Sequence, residues 1–153
     1  MQDLLGKVAV VTGATSGIGR ATALRLATAG MRIAMADIDA ESLREAAEQL
    51  TADGHDVLAV PTDVSSRTAI ESLRDAALDA FGAVHVVHNN AGVVASGAAE
   101  DISLDLWDWV LDVDLWSVIP RRAGLHSPLE GSGRRPHRQS PHRAEPHDSA
   151  KAV

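Results

Sequence analysis

Four short apolar runs alternate with four helical patterns along the chain, and this alternation is the strongest constraint on its fold. Short runs rich in β-branched residues, bounded by turn-forming residues, are typical of buried parallel strands. The predicted strands are Lys7 to Thr12, Met31 to Ala36, Val57 to Pro61 and Val84 to His88. A βαβαβαβα order predicts a parallel sheet with helices on both faces and right-handed crossovers between the strands. We therefore predict an α/β fold with a doubly wound parallel sheet.

The four predicted helices follow the strands. The first helix ends at about Ala29, and the second runs from a cap at Asp39 to about Ala52. The third runs from a cap at Ser65 to Phe81, and the fourth from Ser103 to about Ile119. Gly30 lies just past the first helix, where glycine is common. The apolar residues expected to face inward on this helix are Ile18, Ala21, Leu24 and Leu26. The fourth helix carries an apolar stripe of Leu104, Trp107, Leu111, Leu115 and Val118, which is expected to pack on the chain's own sheet in preference to a second subunit.

The sheet is predicted to be incomplete, because doubly wound folds usually carry six or more strands. The fourth strand would lie at an edge with apolar side chains on both faces, which is an aggregation hazard. No run of apolar residues is long enough to cross a membrane, and the first residues do not resemble a secretory signal. We therefore expect a soluble cytoplasmic protein. The chain has no cysteine, which excludes disulfides and zinc sites with cysteine ligands.

Charge and composition change near residue 119. Residues 1–119 contain 7 Lys and Arg against 18 Asp and Glu, whereas residues 120–153 contain 7 against 3. The second segment is rich in Pro, Arg, His, Ser and Gly, with no hydrophobic period. We predict a partial dinucleotide-binding domain over residues 1–119 and a disordered or frameshifted tail over residues 120–153. The tail has no aromatic residues for base stacking, and its four histidines share no helical face, so neither nucleic acid nor a metal is expected there.

A glycine-rich turn joins the first strand to the first helix. Gly13 permits a tight turn, Gly17 lets the backbone approach a pyrophosphate, and Gly19 lets the helix pack closely on the strand. The N–H groups at the start of a helix, together with its dipole, favour a phosphate at this point. A glycine-rich turn without a ligand is the alternative, but a strand before it and a helix after it favour phosphate binding.

Asp37 ends the second strand, where a carboxylate can accept hydrogen bonds from ribose hydroxyls. The same charge repels a 2′-phosphate, so NAD is expected and NADP is less favoured. The alternative is a solvated loop acid, and Asp39 is also nearby. Arg20, close to the expected phosphates, would weaken the preference for NAD.

Three motifs in register resemble the short-chain dehydrogenase/reductase family over about Lys7 to Ile119. They are Thr12-Gly13-Ala14-Thr15-Ser16-Gly17-Ile18-Gly19, Asp63-Val64 and Asn89-Asn90-Ala91-Gly92. The resemblance implies a Rossmann-type domain that moves a hydride between a nicotinamide and a small-molecule alcohol or carbonyl. It also implies that Thr12, Ser16 and Ile18 line the cofactor loop, that Asp63 and Val64 flank the adenine, and that Asn90, Ala91 and Gly92 lie under the adenosine ribose. A purely structural Asn90, whose amide bridges two strands, is the alternative.

The catalytic group of this family is not found in the chain. The resemblance implies a Tyr acid/base, a Lys four residues later, a Ser about thirteen residues before the Tyr, and an Asn in the preceding helix. The 153 residues contain no tyrosine, and the spacing places the expected Tyr just past Val153. Asp114 occupies the position of the helix Asn, where a carboxylate accepts hydrogen bonds but does not donate them. Ser140, and His147 with Lys151, are poor substitutes in the tail, so we predict no turnover.

The tail is better explained by a change of reading frame. Leu125 to Gln139, translated again one nucleotide downstream, can spell a helix end, a glycine turn and a strand. Resequencing the gene from the codon of Leu111 tests this hypothesis. Two functions remain: the cofactor-binding half of an oxidoreductase, or a non-catalytic dinucleotide-binding or partner-docking fragment that forms a homo-oligomer through helix 103–119. Turnover of alcohols in the presence of NAD separates them.

Overall fold

The computed structural model describes residues 4–119, which form one four-stranded parallel sheet in the order β3-β2-β1-β4. The strands are β1 (Val8–Thr12), β2 (Arg32–Asp37), β3 (Val57–Pro61) and β4 (Val86–His88). The helices are α1 (Gly17–Thr28), α2 (Ala40–Ala52), α3 (Arg67–Phe81) and α4 (Leu104–Leu111). A 3₁₀ turn over Ala99–Asp101 precedes α4, and a π-helical segment over Asp112–Trp116 follows it. The predicted alternation and the doubly wound parallel sheet are confirmed, with four strands in the described part of the chain.

The central strand β1 is buried along its whole length and supplies side chains to two cores. Successive residues of a strand point to opposite faces of the sheet. One face carries Ala9, Val11, Ile33 and Met35 beneath α1 and α2. The other carries Val10, Ala34 and Ala36 beneath Leu73 and Ala77 of α3. Helices therefore cover both faces, as the alternation predicts.

The inward face of α1 differs from the prediction. Gly19, Ala23 and Ala27 are the buried residues of this helix, whereas Ile18 is 74% exposed and Leu24 is 45% exposed. Of the four residues predicted to face inward, Leu26 does pack against the core. Small residues at a spacing of four let the helix axis approach the sheet closely, which larger side chains would prevent. Gly30 follows the last residues of α1 with φ +86°, as predicted.

Two side-chain caps define the starts of α2 and α3. Asp39 caps α2, as predicted, and its carboxylate accepts hydrogen bonds from the N–H groups of Glu41 and Ser42. A further bond from the Ser42 hydroxyl lowers the pKa of Asp39. The predicted cap of α3 is wrong by one residue, because Ser66 caps this helix. The hydroxyl of Ser65 donates instead to Asp63.

The fourth helix is shorter than predicted. Its predicted start at Ser103 is confirmed, and the Ser103 hydroxyl caps it. However, α4 ends at Leu111 and the chain continues as the π-helical segment, whose extra residue per turn changes the phase of the side chains. The expected packing of the apolar stripe on the sheet is wrong, because Leu104, Trp107, Leu111, Leu115 and Val118 are all exposed. In the described residues, α4 packs closely on the π-helical segment and on no strand of the sheet. Within α4 and the π-helical segment, Val113 alone is buried. No helix in the described part of the chain is long and apolar enough to cross a bilayer.

The edge strand β4 begins two residues later than predicted, because the side chain of His85 replaces one strand hydrogen bond. The N–H of His85 donates to the carbonyl of Val8 over 2.9 Å. Its Nδ1 accepts a hydrogen bond from the N–H of Val8 over 3.0 Å. Val8 is fully buried, so His85 satisfies both backbone groups at the start of β1.

Replacing His85 with Leu is expected to lower the free energy of unfolding by about 1–3 kcal/mol, because the buried Val8 N–H loses its acceptor. His85→Asn is the matched control, since its amide oxygen can take the place of Nδ1. The measurement is urea unfolding of the full chain followed by circular dichroism. Equal losses in the two variants would show that the acceptor at residue 85 does not matter.

Candidate functional site

A cleft of about 580 Å³ opens at the carboxyl ends of the strands. From β1 the sheet is extended on one side by β2 and then β3, and on the opposite side by β4. The direction in which strands are added therefore reverses beside β1. Open α/β sheets bind ligands at this reversal, outside the carboxyl ends of the strands. The loops that follow all four strands contribute residues to the cleft.

Most of the residues predicted from the sequence come together here. Those that line the cleft are Gly13, Ser16, Gly17, Ile18, Asp37, Asp63, Val64, Asn90, Ala91 and Gly92. Thr12 and Gly19 do not line it and lie buried behind the loop. The residues that sequence reasoning missed are Thr15, Ile38, Thr62, Val93, Trp109 and Val113. Thr15 lies within the glycine motif and the next three are adjacent to predicted residues, which would have indicated them. Trp109 and Val113 reach the cleft only through the placement of α4 and the π-helical segment.

The three glycines of the loop serve three different purposes. Gly13 has φ +62°, and a Cβ there would lie 2.8 Å from Asn90 Nδ2. A Cβ at Gly19 would overlap the carbonyl oxygen of Gly13 and lie 2.5 Å from the same Asn90 nitrogen. Gly17 has φ +50° and nothing within 4 Å of the position of a Cβ. Gly13 and Gly19 therefore permit close packing of the backbone, while Gly17 faces the open space of the cleft.

The start of α1 differs from the start of each other α-helix in the described residues. Asp39, Ser66 and Ser103 cap α2, α3 and α4 with side-chain hydrogen bonds. Ser16 precedes α1 without a side-chain cap, and the first turn of α1 carries no acidic residue. The partial positive charge of this helix end is thus left uncompensated by side chains beside the cleft.

Thr12 and Asn90 join the ends of β1 and β4 beneath the cleft. The Thr12 hydroxyl accepts hydrogen bonds from the N–H groups of Asn90 (3.0 Å) and Ala91 (3.1 Å). In return, Asn90 Nδ2 donates to the carbonyl oxygens of Thr12 and Gly13, each over 3.1 Å. The Asn90 side chain therefore bridges two strands, as the structural alternative expected, and it also lies at the wall of the cleft.

Asp37 connects the end of β2 to the glycine loop. Its Oδ2 accepts hydrogen bonds from the hydroxyl (2.8 Å) and the N–H (3.2 Å) of Thr15. Its backbone carbonyl accepts a bond from the N–H of Thr62 over 2.7 Å, which joins it to the end of β3. Three consecutive loops are therefore joined at Asp37, through its carboxylate and its backbone carbonyl, and the residue is half-buried at the cleft.

Two further predicted acids are held by backbone groups. Asp63 Oδ1 accepts hydrogen bonds from the N–H (2.9 Å) and the hydroxyl (2.7 Å) of Ser65, which fold the turn after β3. Asp114 does not line the cleft. Its Oδ1 accepts a bond from the N–H of Val93 over 2.9 Å and so anchors the π-helical segment to the loop after β4. The carboxylate thus accepts a hydrogen bond, as expected at this position.

No basic side chain lies among the described residues that line the cleft. The guanidinium of Arg20 donates to Gln49 on α2. Residues 4–119 contain no cluster of three or more His, Asp or Glu that could hold a metal ion. The tail residues considered above, namely Ser140, Lys151 and the histidines at 126, 137, 142 and 147, lie outside the described residues.

The sequence of the chain matches the family model described as short chain dehydrogenase over residues 7–129. The chain belongs to the short-chain dehydrogenase family. It is 42% identical to a 1-deoxy-11-beta-hydroxypentalenate dehydrogenase of Streptomyces avermitilis, and the match covers 84% of this chain and 48% of that relative. The chain spans about half the length of the curated short-chain dehydrogenases that it matches.

Solved structures of the family share this fold. A short-chain dehydrogenase/reductase from Burkholderia phymatum in complex with NAD is 46% identical, with a TM-score of 0.76 over 77% of this chain and 42% of that one. A metagenomic short-chain oxidoreductase in complex with NADP is 35% identical, with a TM-score of 0.71 over 76% of this chain and 53% of that one. The predicted family and the Rossmann-type fold are therefore confirmed.

Proposed function

We propose that the cleft binds a nicotinamide adenine dinucleotide and that the chain is the cofactor-binding half of an oxidoreductase. The reaction is hydride transfer between the nicotinamide and a small-molecule alcohol or carbonyl. The observation that carries this proposal is the uncapped start of α1 beside Gly17, where the backbone of the loop faces open space. Family membership supports it, since both solved relatives described above hold a nicotinamide dinucleotide.

The loop would hold the pyrophosphate. The first N–H groups of α1 and the helix dipole favour an anion, and a phosphate can approach Gly17 because no Cβ stands in the way. Ser16 and Ile18 line the same wall of the cleft. Thr12 and Gly19 are buried behind the loop, where they would maintain its shape without contacting the ligand.

The adenosine would lie toward the loops after β2, β3 and β4. In this proposal Asp37 accepts hydrogen bonds from the ribose hydroxyls, Asp63 and Val64 flank the adenine, and the backbone at Asn90, Ala91 and Gly92 lies under the ribose. The two carboxylates would repel a 2′-phosphate, and no basic residue among the described lining compensates them. NAD is therefore proposed as the cofactor in preference to NADP.

The nicotinamide supplies the hydride chemistry when it is bound, and the described residues supply binding and orientation. Proton transfer to or from the substrate oxygen needs an acid or base near that oxygen. The chain has no tyrosine for this role, and the carboxylate of Asp114 is held by the N–H of Val93. We therefore propose that the 153 residues alone have no turnover.

One observation favours a second function, that of a non-catalytic docking fragment in the cytoplasm. The apolar stripe of α4 and the residues after it is exposed, and such a stripe is suited to packing against a second copy of the chain. Turnover of alcohols by the full chain with NAD would exclude this second function. The frameshift hypothesis and the division into residues 1–119 and 120–153 stay predictions.

Replacing Asp37 with Ala tests the proposed cofactor. The unmodified chain is expected to bind NADH more tightly than NADPH, and Asp37→Ala should weaken NADH binding by about tenfold, because a hydrogen bond to a charged group is lost. NADPH binding should strengthen, since the repelling charge is gone. Dissociation constants come from quenching of tryptophan emission by the reduced nicotinamide, and Trp109 lies at the cleft.

Asp79→Ala is the matched control, because this exposed acid lies on α3 and does not line the cleft. It is expected to leave both dissociation constants unchanged. If the unmodified chain binds neither NADH nor NADPH, the proposed function is wrong. If Asp37→Ala and the control bind NADH alike, the role of Asp37 is wrong.

A further inference from the structure

We propose that Thr15 is a positioning residue that orients the Asp37 carboxylate and thereby sets the selectivity between NAD and NADP. The inference rests on the proposed function and adds a residue to it. Thr15 lies in the glycine loop after β1, and Asp37 ends the neighbouring strand β2. Both side chains are half-buried, and both residues line the cleft.

The contacts of the carboxylate are divided unequally between its two oxygens. Oδ2 accepts two hydrogen bonds from Thr15, one from the hydroxyl at 2.8 Å and one from the N–H at 3.2 Å. Oδ1 accepts one long hydrogen bond, from the N–H of Asp39 at 3.3 Å. Each oxygen of a carboxylate can accept about two hydrogen bonds. Thr15 therefore occupies Oδ2, and acceptor capacity for a ribose hydroxyl remains at Oδ1.

The Thr15 hydroxyl makes the shortest of the three hydrogen bonds that restrain the plane of this carboxylate. Rotation of an aspartate about its last side-chain bond is broad and has no strong preference of its own. A short hydrogen bond to an ionised oxygen is stronger than one between neutral groups, and it restrains this rotation. The same bond ties the carboxylate to the loop that would hold the pyrophosphate. The Thr15 hydroxyl thus helps to fix the position of Asp37 Oδ1, the proposed acceptor for the ribose hydroxyl, relative to the phosphate site.

Selectivity follows from this restraint. A carboxylate held with Oδ1 toward the ribose accepts a hydrogen bond from the 2′-hydroxyl of NAD and repels the 2′-phosphate of NADP. Without the Thr15 hydroxyl, the carboxylate keeps only its two longer hydrogen bonds, from the N–H groups of Thr15 and Asp39. It is then less ordered before binding and must lose more entropy to accept the same bond. Loss of the hydroxyl is therefore expected to weaken NAD binding more than NADP binding.

The test compares Thr15→Val, which keeps the shape of the side chain, with Thr15→Ser, which keeps the hydroxyl. Dissociation constants for NADH and NADPH are measured on the full chain by tryptophan quenching. Thr15→Val is expected to lower the ratio of NADH to NADPH affinity by about fivefold, the order expected when one more side chain must be ordered on binding. Thr15→Ser should retain the ratio within about twofold.

Thr28→Val is the matched control, because its hydroxyl bonds only the carbonyl of Leu24 in α1, away from the cleft. Thr15→Ala also lacks the hydroxyl and provides the measurement if the valine variant fails to fold. A hydroxyl-free variant that keeps the selectivity of the unmodified chain overturns this inference alone. Failure of the unmodified chain to bind either dinucleotide overturns the proposed function and this inference together.

Discussion

Replacing Gly19 with Ala is expected to lower the free energy of unfolding by about 3 kcal/mol and to abolish NADH binding. A Cβ at this position would overlap the carbonyl oxygen of Gly13 and crowd Asn90 Nδ2. Overpacking in a close-packed site usually costs about 1–3 kcal/mol, and here the obstacle is backbone, which cannot rotate away. The displacement would also break the Asn90 hydrogen bonds to the loop, so the upper end of that range is expected.

Urea unfolding and NADH titration of the full chain measure these two effects. Gly17→Ala and Gly54→Ala are informative controls, because both positions have positive φ and open space around a Cβ. Each should lose only about 1–2 kcal/mol from backbone strain. Gly17→Ala is expected to lose NADH binding as well, whereas Gly54→Ala, in the turn after α2, should keep it. A Gly19→Ala chain as stable as the Gly54→Ala chain would contradict the packing argument.

Replacing Thr12 with Val is expected to lower the free energy of unfolding by about 2–6 kcal/mol, because two N–H groups lose their acceptor at about 1–3 kcal/mol each. Valine matches the shape of threonine, and Thr12 is only 4% exposed, so water cannot readily replace the hydroxyl. The groups affected are the N–H of Asn90 and the N–H of Ala91. The loop after β4 should therefore loosen before the rest of the sheet.

Hydrogen exchange at the amides of residues 90 and 91 measures this local effect, and urea unfolding measures the global one. Thr12→Ser is the control, because it keeps the hydroxyl and removes one methyl group, at a cost of about 1 kcal/mol. Faster exchange is expected in the valine variant but not in the serine variant. Equal exchange rates in the two variants would show that the hydroxyl does not join the two strands.

The sequence was sufficient for the order of elements and for most of the cleft. The motifs after β1, β2, β3 and β4 could be located because each follows a strand, and parallel strands bring their carboxyl ends to one edge. Glycine positions were informative because steric limits on φ and on close backbone approach are local properties. The cap at Asp39 could be located for the same reason, since a cap acts within one turn of its helix.

Apart from the cap of α3, which was wrong by one residue, the main errors concern what surrounds an element. Periodicity could not identify the inward face of α1, because small residues at Gly19, Ala23 and Ala27 carry almost no hydrophobic signal. The stripe of α4 has a clear period but is exposed, since an apolar period shows which residues share a face and not what that face contacts. The π-helical segment also shifts the phase of the stripe.

The sequence by itself determined the family, the sheet of alternating elements and the glycine loop, because these depend on local backbone geometry and on the strand and helix periods. Only the tertiary structure decided that Thr15 holds Asp37, that His85 completes the edge strand, and that Trp109 reaches the cleft. These contacts join residues that are distant in sequence. A shift of a few tenths of an ångström can make or break such a contact. The packing of the whole sheet determines the positions of the two partners.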